Sequence, residues 1–292
     1  MSQAIAPTSP PASTRYGVQD GHRARKRFGQ NFLTDEAVIA RIVAAIHPRA
    51  TDRMIEIGPG LGALTCQLIQ PLDALTVVEL DRDIIPKLQA RCAGQKTAHT
   101  PEGAHKLTIL SQDALSLDLT PLAAHGALRI AGNLPYNIAT PLIFHLLDQA
   151  KNISDMTFML QKEVALRLAA SPGSRDYGRL SIMVQTIAQV ELLFIVPPEA
   201  FNPPPKVDSA IVQLTPRAQP RVSPELRPLF AELVGLAFAH RRKTLQNNLK
   251  HRLPASTILA AGLEPSIRAE QISIDAFIHL AQTTQRLHPP TP

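Results

Sequence analysis

The chain lacks tryptophan altogether, and aromatic residues make up only 4% of its 292 residues. A tyrosine or phenylalanine that stands beside polar residues is therefore a candidate for a specific role. No apolar stretch approaches the length of about 18 residues that a membrane-spanning helix needs, so we expect no membrane span. The first twenty residues also lack the apolar segment of a secretory signal, which favours a cytoplasmic location.

Cysteine is equally scarce, with Cys66 and Cys92 as its two occurrences. They show no paired spacing and no histidine at the spacing of a metal site, which argues against a disulfide scaffold and against a metal centre. We interpret both as small apolar residues of a protein in a reducing compartment.

The remaining composition favours a folded protein with a basic surface. Hydrophobic residues make up 45% of the chain and charged residues 18%, which is enough to bury a core. Thirty Lys and Arg against 24 Asp and Glu give a net charge of +6, compatible with a polyanionic partner. Basic residues cluster at positions 22–27 and 240–243. Either cluster alone would also fit an ordinary solvated surface.

From residue 54 onward, short β-type apolar runs alternate with helical patterns, which predicts a parallel sheet with helices on both faces. The predicted strands are residues 54–57, 75–80, 107–110, 127–130 and 156–160, with further β-like runs at 191–196 and 209–214. The predicted helices include residues 83–90, 141–147 and 162–169. The polar segment 93–105 is predicted to be a surface loop.

Three regions follow from the pattern. Residues 1–21, rich in Pro, Ser, Ala and Thr, are predicted to form a disordered extension. Residues 22–216 carry the strand and helix alternation of an α/β domain. After residue 216 the apolar spacing becomes helical, as in Phe230, Leu233, Val234, Leu245 and Leu249, which predicts a small all-helical domain over residues 223–286.

The motif Asn133-Leu134-Pro135-Tyr136 directly follows the predicted strand 127–130 and the turn-like residues 131–132. The Asn133 side chain and the Leu134 carbonyl can accept both hydrogens of an exocyclic amine, and Tyr136 can stack on a planar base. Such a grip favours a pyramidal nitrogen whose lone pair points at an electrophile. Alone, the tetrapeptide also fits a turn with a buried tyrosine.

A glycine-rich turn, residues 56–62, lies between a predicted strand and a helix. Gly58 and Gly60 allow the backbone to approach a ligand closely. Glu79 ends the next strand, where an acid can accept from ribose hydroxyls, and Asp113 ends the third, where it can accept from an adenine amine. Because strand ends of an open α/β sheet meet in one crevice, these residues are predicted to form one site.

The residue types at this site disfavour a phosphate. No Lys-Ser/Thr pair follows the glycines, and Pro59 removes an amide that a phosphate cradle would use. Glu56, Glu79 and Asp113 would repel an anion. A nucleoside that carries a sulfonium cation fits better, and S-adenosylmethionine is that molecule. Each acid alone would also fit a strand-end cap.

Many motifs in order resemble those of the S-adenosylmethionine-dependent rRNA adenine N6,N6-dimethyltransferases, most closely the bacterial small-subunit (16S) members whose loss gives kasugamycin resistance. The resemblance extends from about residue 23 to residue 278. The matching segments are residues 25–33, 56–65, 78–81, 112–114, 132–138, 159–164, 177–181, 201–211, 238–245 and 268–270. The N-terminal tail and the segment 93–105 are longer than is usual in the family.

The resemblance implies a Rossmann-like methyltransferase domain followed by a small C-terminal helical domain. It places Asn31 and Leu33 over the cofactor, the glycines behind its methionine part, Glu79 at the ribose and Asp113 at the adenine. The expected cofactor residues are Asn31, Leu33, Gly58, Gly60, Glu79, Asp113 and Asn133. The implied substrate is two adjacent adenines in a hairpin loop near the 3′ end of small-subunit rRNA, dimethylated within an immature 30S particle.

The expected reaction is in-line displacement of a methyl group by adenine N6, which needs no covalent intermediate and no metal. Asn133 and Leu134 are expected to hold the amine. Tyr136 is expected to stack on one face of the base, and Phe201 on the other, although Phe201 would also fit ordinary core packing.

Eight basic residues are expected to contact rRNA phosphates without reading sequence. They are Arg23, Arg25, Lys26, Arg27, Lys206, Arg241, Arg242 and Lys243. We expect the protein to act as a monomer.

Three alternatives remain at this stage. A relative that methylates large-subunit rRNA and confers macrolide resistance shares the Asn133 motif, but residues 238–245 favour the small-subunit enzyme. DNA adenine methyltransferases more often carry Asp/Asn-Pro-Pro-Tyr, and Leu134 argues against them. A catalytically idle assembly factor would bind immature subunits without transferring methyl groups, and an assembly checkpoint role is also compatible with activity.

Overall fold

The computed structural model describes residues 31–92 and 107–288, together with the backbone of residues 18–19 and 22–23. The predicted loop 93–105 lies outside the described residues. So does the predicted disordered extension, except for the backbone of residues 18–19. The strands are β1 (Val18–Gln19), β2 (His22–Arg23), β3 (Phe32–Leu33), β4 (Met54–Ile57), β5 (Leu75–Val78), β6 (Leu107–Leu110), β7 (Leu128–Asn133), β8 (Ile153–Gln161), β9 (Ala188–Val196), β10 (Phe201–Asn202) and β11 (Ser209–Pro216). The helices are α1 (Glu36–Ile46), α2 (Thr65–Leu68), α3 (Ile85–Cys92), α4 (Ala139–Leu147), α5 (Lys162–Ala169), α6 (Arg179–Gln185), α7 (Arg227–Ala237), α8 (Leu245–Leu249), α9 (Ala255–Ala260) and α10 (Ile274–Leu287).

Seven of these strands form the central sheet in the order β6-β5-β4-β7-β8-β11-β9. The first five are parallel, as the strand and helix alternation predicts. The prediction of a parallel sheet is wrong for β11 and β9, which pair antiparallel with their neighbours. The connection from β9 to β11 holds only a single helical turn and the two-residue β10, so it contains no crossover helix that would return the chain for parallel pairing.

Helices cover both faces of the sheet, as predicted. Successive residues of a strand face opposite sides, and in β4 Met54 and Ile55 belong to two different hydrophobic clusters. The cluster around Ile55 includes Leu142 and Leu146 of α4. The cluster around Met54 includes residues of α1, α2 and α3, such as Leu88. The ends of the strands are thereby fixed relative to one another.

Strand β7 is longer than the sequence predicts, because Ala131 and Gly132 continue it instead of forming a turn. The glycine at 132 is required by a close approach. A Cβ at this position would lie 2.4 Å from the Ile57 carbonyl oxygen of the neighbouring β4. The extension carries Asn133 to the very end of the strand.

A second hydrophobic core lies among the C-terminal helices. The predicted apolar positions of this region are buried there, among them Phe230, Leu233 and Leu245. This core also includes Tyr177 and Ile182, which precede it by some 40 residues or more, and the Tyr177 hydroxyl donates to the Ile272 carbonyl at 3.0 Å. No strand follows residue 216 in the described part of the chain. The boundaries 22–216 and 223–286 stay predictions.

The two cysteines are neighbours in space, which their sequence spacing did not indicate. The Sγ atoms of Cys66 in α2 and Cys92 in α3 lie 3.3 Å apart, and both thiols are free and buried. The hydrogen bond with Cys92 lowers the pKa of the Cys66 thiol, and the Arg91 charge acts in the same direction. Within the described residues, no helix is both long and apolar enough to cross a membrane.

Candidate active site

A cavity of about 360 Å³ lies at the carboxyl ends of β4, β5, β6 and β7. This edge is where ligands bind in open parallel sheets. Nine of the ten residues that the sequence assigns to cofactor binding or catalysis line this cavity. They are Asn31, Leu33, Gly58, Gly60, Glu79, Asp113, Asn133, Leu134 and Tyr136.

The glycine-rich turn forms one wall of the cavity. Gly58 and Gly60 have φ angles of +67° and +53°, a conformation that strains any residue with a side chain. The Gly58 amide donates to the Val78 carbonyl at 3.0 Å, which fixes the turn against β5. A Cβ on Gly60 would lie 3.5 Å from the ring of Phe32. The turn therefore presents bare backbone to the cavity.

Glu79, directly after β5, braces the same turn. Its Oε2 accepts from the Gly60 amide at 3.3 Å, and its Oε1 accepts from the Asp81 amide at 2.8 Å. Burial raises the pKa of the Glu79 carboxyl, while these amide donors act in the opposite direction. The carboxyl is thus held at a fixed place on the cavity wall at the end of β5.

Glu56 is a site residue that the sequence did not assign, although it counted as an acid unfavourable to anions. Its side chain is 1% exposed, it lines the cavity, and its Oε2 makes no hydrogen bond. Burial raises the pKa of this carboxyl to about 8. In the sequence, this residue stands out as an acid within a short apolar strand. In the structure, all four residues of that strand are buried. A buried carboxyl with one unpartnered oxygen suits a cationic ligand group.

Asp113 follows β6 and begins a short helical turn. Its Oδ1 accepts from the Leu115 amide at 2.9 Å, which orients the carboxylate. It lies on the cavity wall together with Leu80 and Gln112. The structure thus places an oriented acceptor on the cavity wall, and its contact with an adenine amine stays a prediction.

Asn133 is fixed by the segment that precedes α1. Its Nδ2 donates to the Asn31 carbonyl oxygen at 3.2 Å. Because the amide nitrogen is used in this way, Oδ1 remains as the acceptor of the side chain. The next residue, Leu134, donates its amide to the Met159 carbonyl at 3.2 Å and buries its side chain in the core. The Asn133 side chain is thereby held by its bond to Asn31, and the backbone that follows it is held by the bond to Met159.

Tyr136 is half-buried and lines the cavity. Its hydroxyl is 2.8 Å from the Ser209 hydroxyl of β11. Burial raises the pKa of the phenol, so it stays protonated and neutral.

Phe201 is the one predicted residue that the structure does not bring to the cavity. Its side chain is 4% exposed and packs in the core cluster that contains Leu33. Its backbone pairs with Leu33 in the small antiparallel sheet of β10 and β3. This placement fits the alternative of ordinary core packing, and stacking of Phe201 on a base stays a prediction.

Comparison with known proteins shows which family the chain belongs to. A model of the family described as ribosomal RNA adenine dimethylase matches residues 21–286. The chain belongs to this family. It is 54% identical over 265 residues to ribosomal RNA small subunit methyltransferase A of Saccharophagus degradans, covering 90% of this chain and 95% of the relative. The protein of the same name from Pseudomonas aeruginosa is 52% identical over 267 residues, covering 91% and 96%.

Solved structures support the fold. A dimethyladenosine transferase from Plasmodium falciparum superimposes with a TM-score of 0.74 at 24% identity, over 87% of this chain and 98% of that one. The 23S rRNA methyltransferase ErmE superimposes with a TM-score of 0.68 at 24% identity, over 87% and 99%. The expected Rossmann-like α/β fold with its C-terminal helical part is confirmed.

Membership in the ribosomal RNA adenine dimethylase family confirms the expected cofactor, S-adenosylmethionine. The residues of the cavity fit this molecule. The turn of Gly58 and Gly60 leaves room that a Cβ would fill, and the Glu56 carboxyl offers an unpartnered oxygen to a positive charge. Within residues 31–92 and 107–288, no group of three His, Cys, Asp or Glu side chains is placed to hold a metal ion.

The basic residues expected to meet rRNA fall into three groups. Arg25, Lys26 and Arg27 lie outside the described residues, and of Arg23 only the backbone is described, in β2. Lys206 is exposed and lines a groove between α5 and the segment that precedes β11.

The third group, Arg241, Arg242 and Lys243, is exposed in the connection between α7 and α8. Arg241 pairs with Glu270 at 3.4 Å. The role of all these residues in RNA binding stays a prediction.

Proposed function

We propose that this protein transfers methyl groups from S-adenosylmethionine to N6 of two adjacent adenines in a hairpin loop near the 3′ end of small-subunit rRNA, giving N6,N6-dimethyladenosine. The observation that carries the proposal is the Asn133 amide, held by the Asn31 carbonyl at the mouth of a glycine-lined cavity. The names of the relatives at 52–54% identity support the small-subunit substrate.

The chemistry of the motif follows from its hydrogen-bonding groups. With Nδ2 already used, Asn133 Oδ1 accepts one amine hydrogen, and the Leu134 carbonyl accepts the other. Holding both hydrogens from one side directs the nitrogen lone pair away from the protein acceptors. S-adenosylmethionine supplies an electrophilic methyl group on its sulfonium. As the bond from N6 to the methyl carbon formed, the bond from sulfur to that carbon would break, S-adenosylhomocysteine would leave, and the methylated nitrogen would lose its proton to solvent. Positioning and electrostatics then provide the catalysis, and no protein group forms a covalent bond.

The surrounding residues complete the site. Tyr136 stacks on the extruded base, an interaction of about 1–3 kcal/mol for a single ring. Glu79 and Asp113 hold the ribose and the adenine amine of the cofactor, each already oriented by backbone amides. Glu56 faces positive charge in the methionine part.

Basic residues guide the RNA. We assign phosphate contacts to Lys206, Arg242 and Lys243, which are exposed, and to Arg241 beside Glu270. The N-terminal basic residues 23–27 precede Asn31, so RNA contact there would act on the segment that holds Asn133.

The proposed substrate is an immature small subunit in the cytoplasm, bound by a monomer of the protein, and an assembly checkpoint role is compatible with it.

The test is transfer of labelled methyl groups to small subunits that lack these methyl groups, followed by nucleoside analysis. The wild-type protein is expected to yield N6,N6-dimethyladenosine, and Asn133→Ala none. Asn152→Ala is the matched control, because Asn152 lies at the amino end of β8, remote from the cavity. Tight particle binding without methyl transfer by the wild type would leave the idle assembly factor as the better reading.

A further inference from the structure

The ring of Tyr136 is attached to the sheet at both of its ends. At the backbone end, Tyr136 lies in the turn after β7, closed by the bond from the Ile138 amide to the Pro135 carbonyl at 3.1 Å. At the other end, its hydroxyl meets the Ser209 hydroxyl at 2.8 Å. Strand β8 lies between β7 and β11, so the ring spans the carboxyl end of β8.

Ser209 is a polar residue in an otherwise apolar place. It is the first residue of β11, it is 0% exposed, and it pairs with Gln161 of β8 and Val196 of β9. The three residues that follow it, 210–212, are apolar and fully buried. A buried hydroxyl is unfavourable unless it has a hydrogen-bond partner, and the Tyr136 hydroxyl is the side-chain partner of Ser209 in the described part of the chain.

We infer that Ser209 is a positioning residue for the reaction, which sets the plane of the Tyr136 ring against the target adenine through their paired hydroxyls. The inference rests on the proposed function, in which that ring stacks on the base. Without the hydroxyl pair, the ring can rotate about its side-chain bonds while its backbone stays in place. The base would then be held in a wider range of orientations, and fewer of them align N6 with the methyl group.

The effect belongs to the RNA side of the site. Ser209 does not line the cofactor cavity, whereas Tyr136 does. We therefore expect Ser209→Ala to lower kcat/KM for the small subunit by about 3- to 10-fold, the range of one hydrogen bond. The affinity for S-adenosylmethionine is expected to stay within about twofold of wild type, because the Ser209 side chain bonds to Tyr136, which is not one of the residues assigned to cofactor binding.

A double-mutant cycle separates this role from a general effect on folding. Tyr136→Phe removes the other hydroxyl of the pair, and each single change leaves one buried hydroxyl without its partner. The double variant removes both hydroxyls. If Ser209 acts through Tyr136, the double variant loses no more than the worse single variant. If the two residues act separately, the losses in kcat/KM multiply, and the inference is wrong.

Two further variants complete the design. Thr157→Val is the control, because Thr157 is a buried hydroxyl residue of the neighbouring β8 and its Oγ1 has no hydrogen-bond partner. It is expected to keep wild-type kcat/KM. Tyr136→Ala tests the ring itself and is expected to lose far more than Tyr136→Phe.

The outcomes distinguish the inference from the proposed function. Wild-type kcat/KM in Ser209→Ala, with Tyr136→Ala strongly impaired, would overturn the role of Ser209 and leave the proposed function intact. Full activity of Tyr136→Ala would overturn stacking by Tyr136 and with it the inference. Absence of dimethyladenosine with the wild-type protein would overturn the proposed function itself.

Discussion

The side-chain amide of Asn133 donates to the backbone carbonyl of Asn31 at 3.2 Å, across 102 positions of sequence. The bond joins the acceptor proposed for the target amine to the segment that lies over the cofactor cavity. It therefore explains how a residue at the end of β7 and a segment before α1 can act as one unit. It also orients the side-chain amide of Asn133, whose acceptor is Oδ1.

The first prediction concerns this bond. Asn133→Asp keeps an acceptor of nearly the same shape but loses the N–H that donates to Asn31, and it places a negative charge against a carbonyl oxygen. We expect a loss of methyl transfer of about 100-fold or more, because the acceptor is no longer oriented. The rate of methyl transfer to small subunits in a single turnover measures this loss. Activity within a few fold of wild type would show that the Asn31 bond is dispensable.

The second prediction concerns the pH dependence of cofactor binding. The pKa of Glu56 is raised to about 8 by burial, so below that pH the carboxyl is protonated before the cofactor binds. A cationic ligand favours the carboxylate, and its binding is expected to release a proton between about pH 5 and 8. Calorimetry in buffers of different ionisation enthalpy measures the release. Glu56→Gln should bind without it, and equal proton release by wild type and variant would contradict the assignment.

The same group gives a third prediction for stability without cofactor. Because the pKa of Glu56 is higher in the folded protein than the ordinary value of 4.5, the folded state binds the extra proton. Its contribution is fully present below the ordinary pKa and is lost as pH rises through about 8. The free energy of unfolding of Glu56→Gln, relative to that of the wild type, should therefore increase as the pH is raised from 5 to 9. Thermal unfolding of both proteins across this range measures the difference. A difference that decreases with rising pH would contradict the prediction.

The fourth prediction concerns Gly132. A Cβ at this position would lie 2.4 Å from the Ile57 carbonyl, so the strands β4 and β7 must separate locally. We expect Gly132→Ala to lower the free energy of unfolding by about 1–3 kcal/mol and to displace Asn133. Gly235→Ala is the control, since Gly235 lies within α7 and its nearest neighbour is 3.9 Å from the Cβ position. That change is expected to be neutral or stabilising by up to about 1 kcal/mol.

The fifth prediction concerns phosphate contacts. Arg242→Gln and Lys243→Gln remove exposed charges between α7 and α8. Each is expected to weaken small-subunit binding and to reduce the slope of log K against log salt by about 0.7–0.9. Binding titrations from low to high salt measure the slope. Exposed Lys250, in the same helical part, offers a comparison, and an equal effect of Lys250→Gln would point to general attraction instead of defined contacts.

Much of the fold could be predicted from local pattern. The bounds of β4, β6 and α5 agree with the prediction to the residue, because each is a short apolar or amphipathic run with clear flanking signals. The convergence of the candidate cofactor residues on one cavity was also predictable, since the ends of parallel strands meet at the same edge of a sheet. These are features that depend on neighbours in sequence or on the general geometry of the sheet.

What the sequence did not reveal depends on contacts between distant residues. The extension of β7 through Gly132 follows from the carbonyl of Ile57, which only the paired strands bring near. The antiparallel direction of β9 and β11 depends on a connection without a crossover helix. The hydroxyl pair of Tyr136 and Ser209, 73 residues apart, has no sequence signal, and the burial of Phe201 follows from its pairing with Leu33.

The most direct test of the account is a comparison of substrates. Small subunits that lack these methyl groups, large subunits and adenine-containing duplex DNA would each be offered with labelled S-adenosylmethionine, and the nucleosides analysed. We expect two adjacent N6,N6-dimethyladenosines in small-subunit rRNA, none in the other substrates, and none with Asn133→Ala. Dimethyladenosine in large-subunit rRNA or methylated DNA from the wild-type protein, or equal yields from Asn133→Ala, would contradict it.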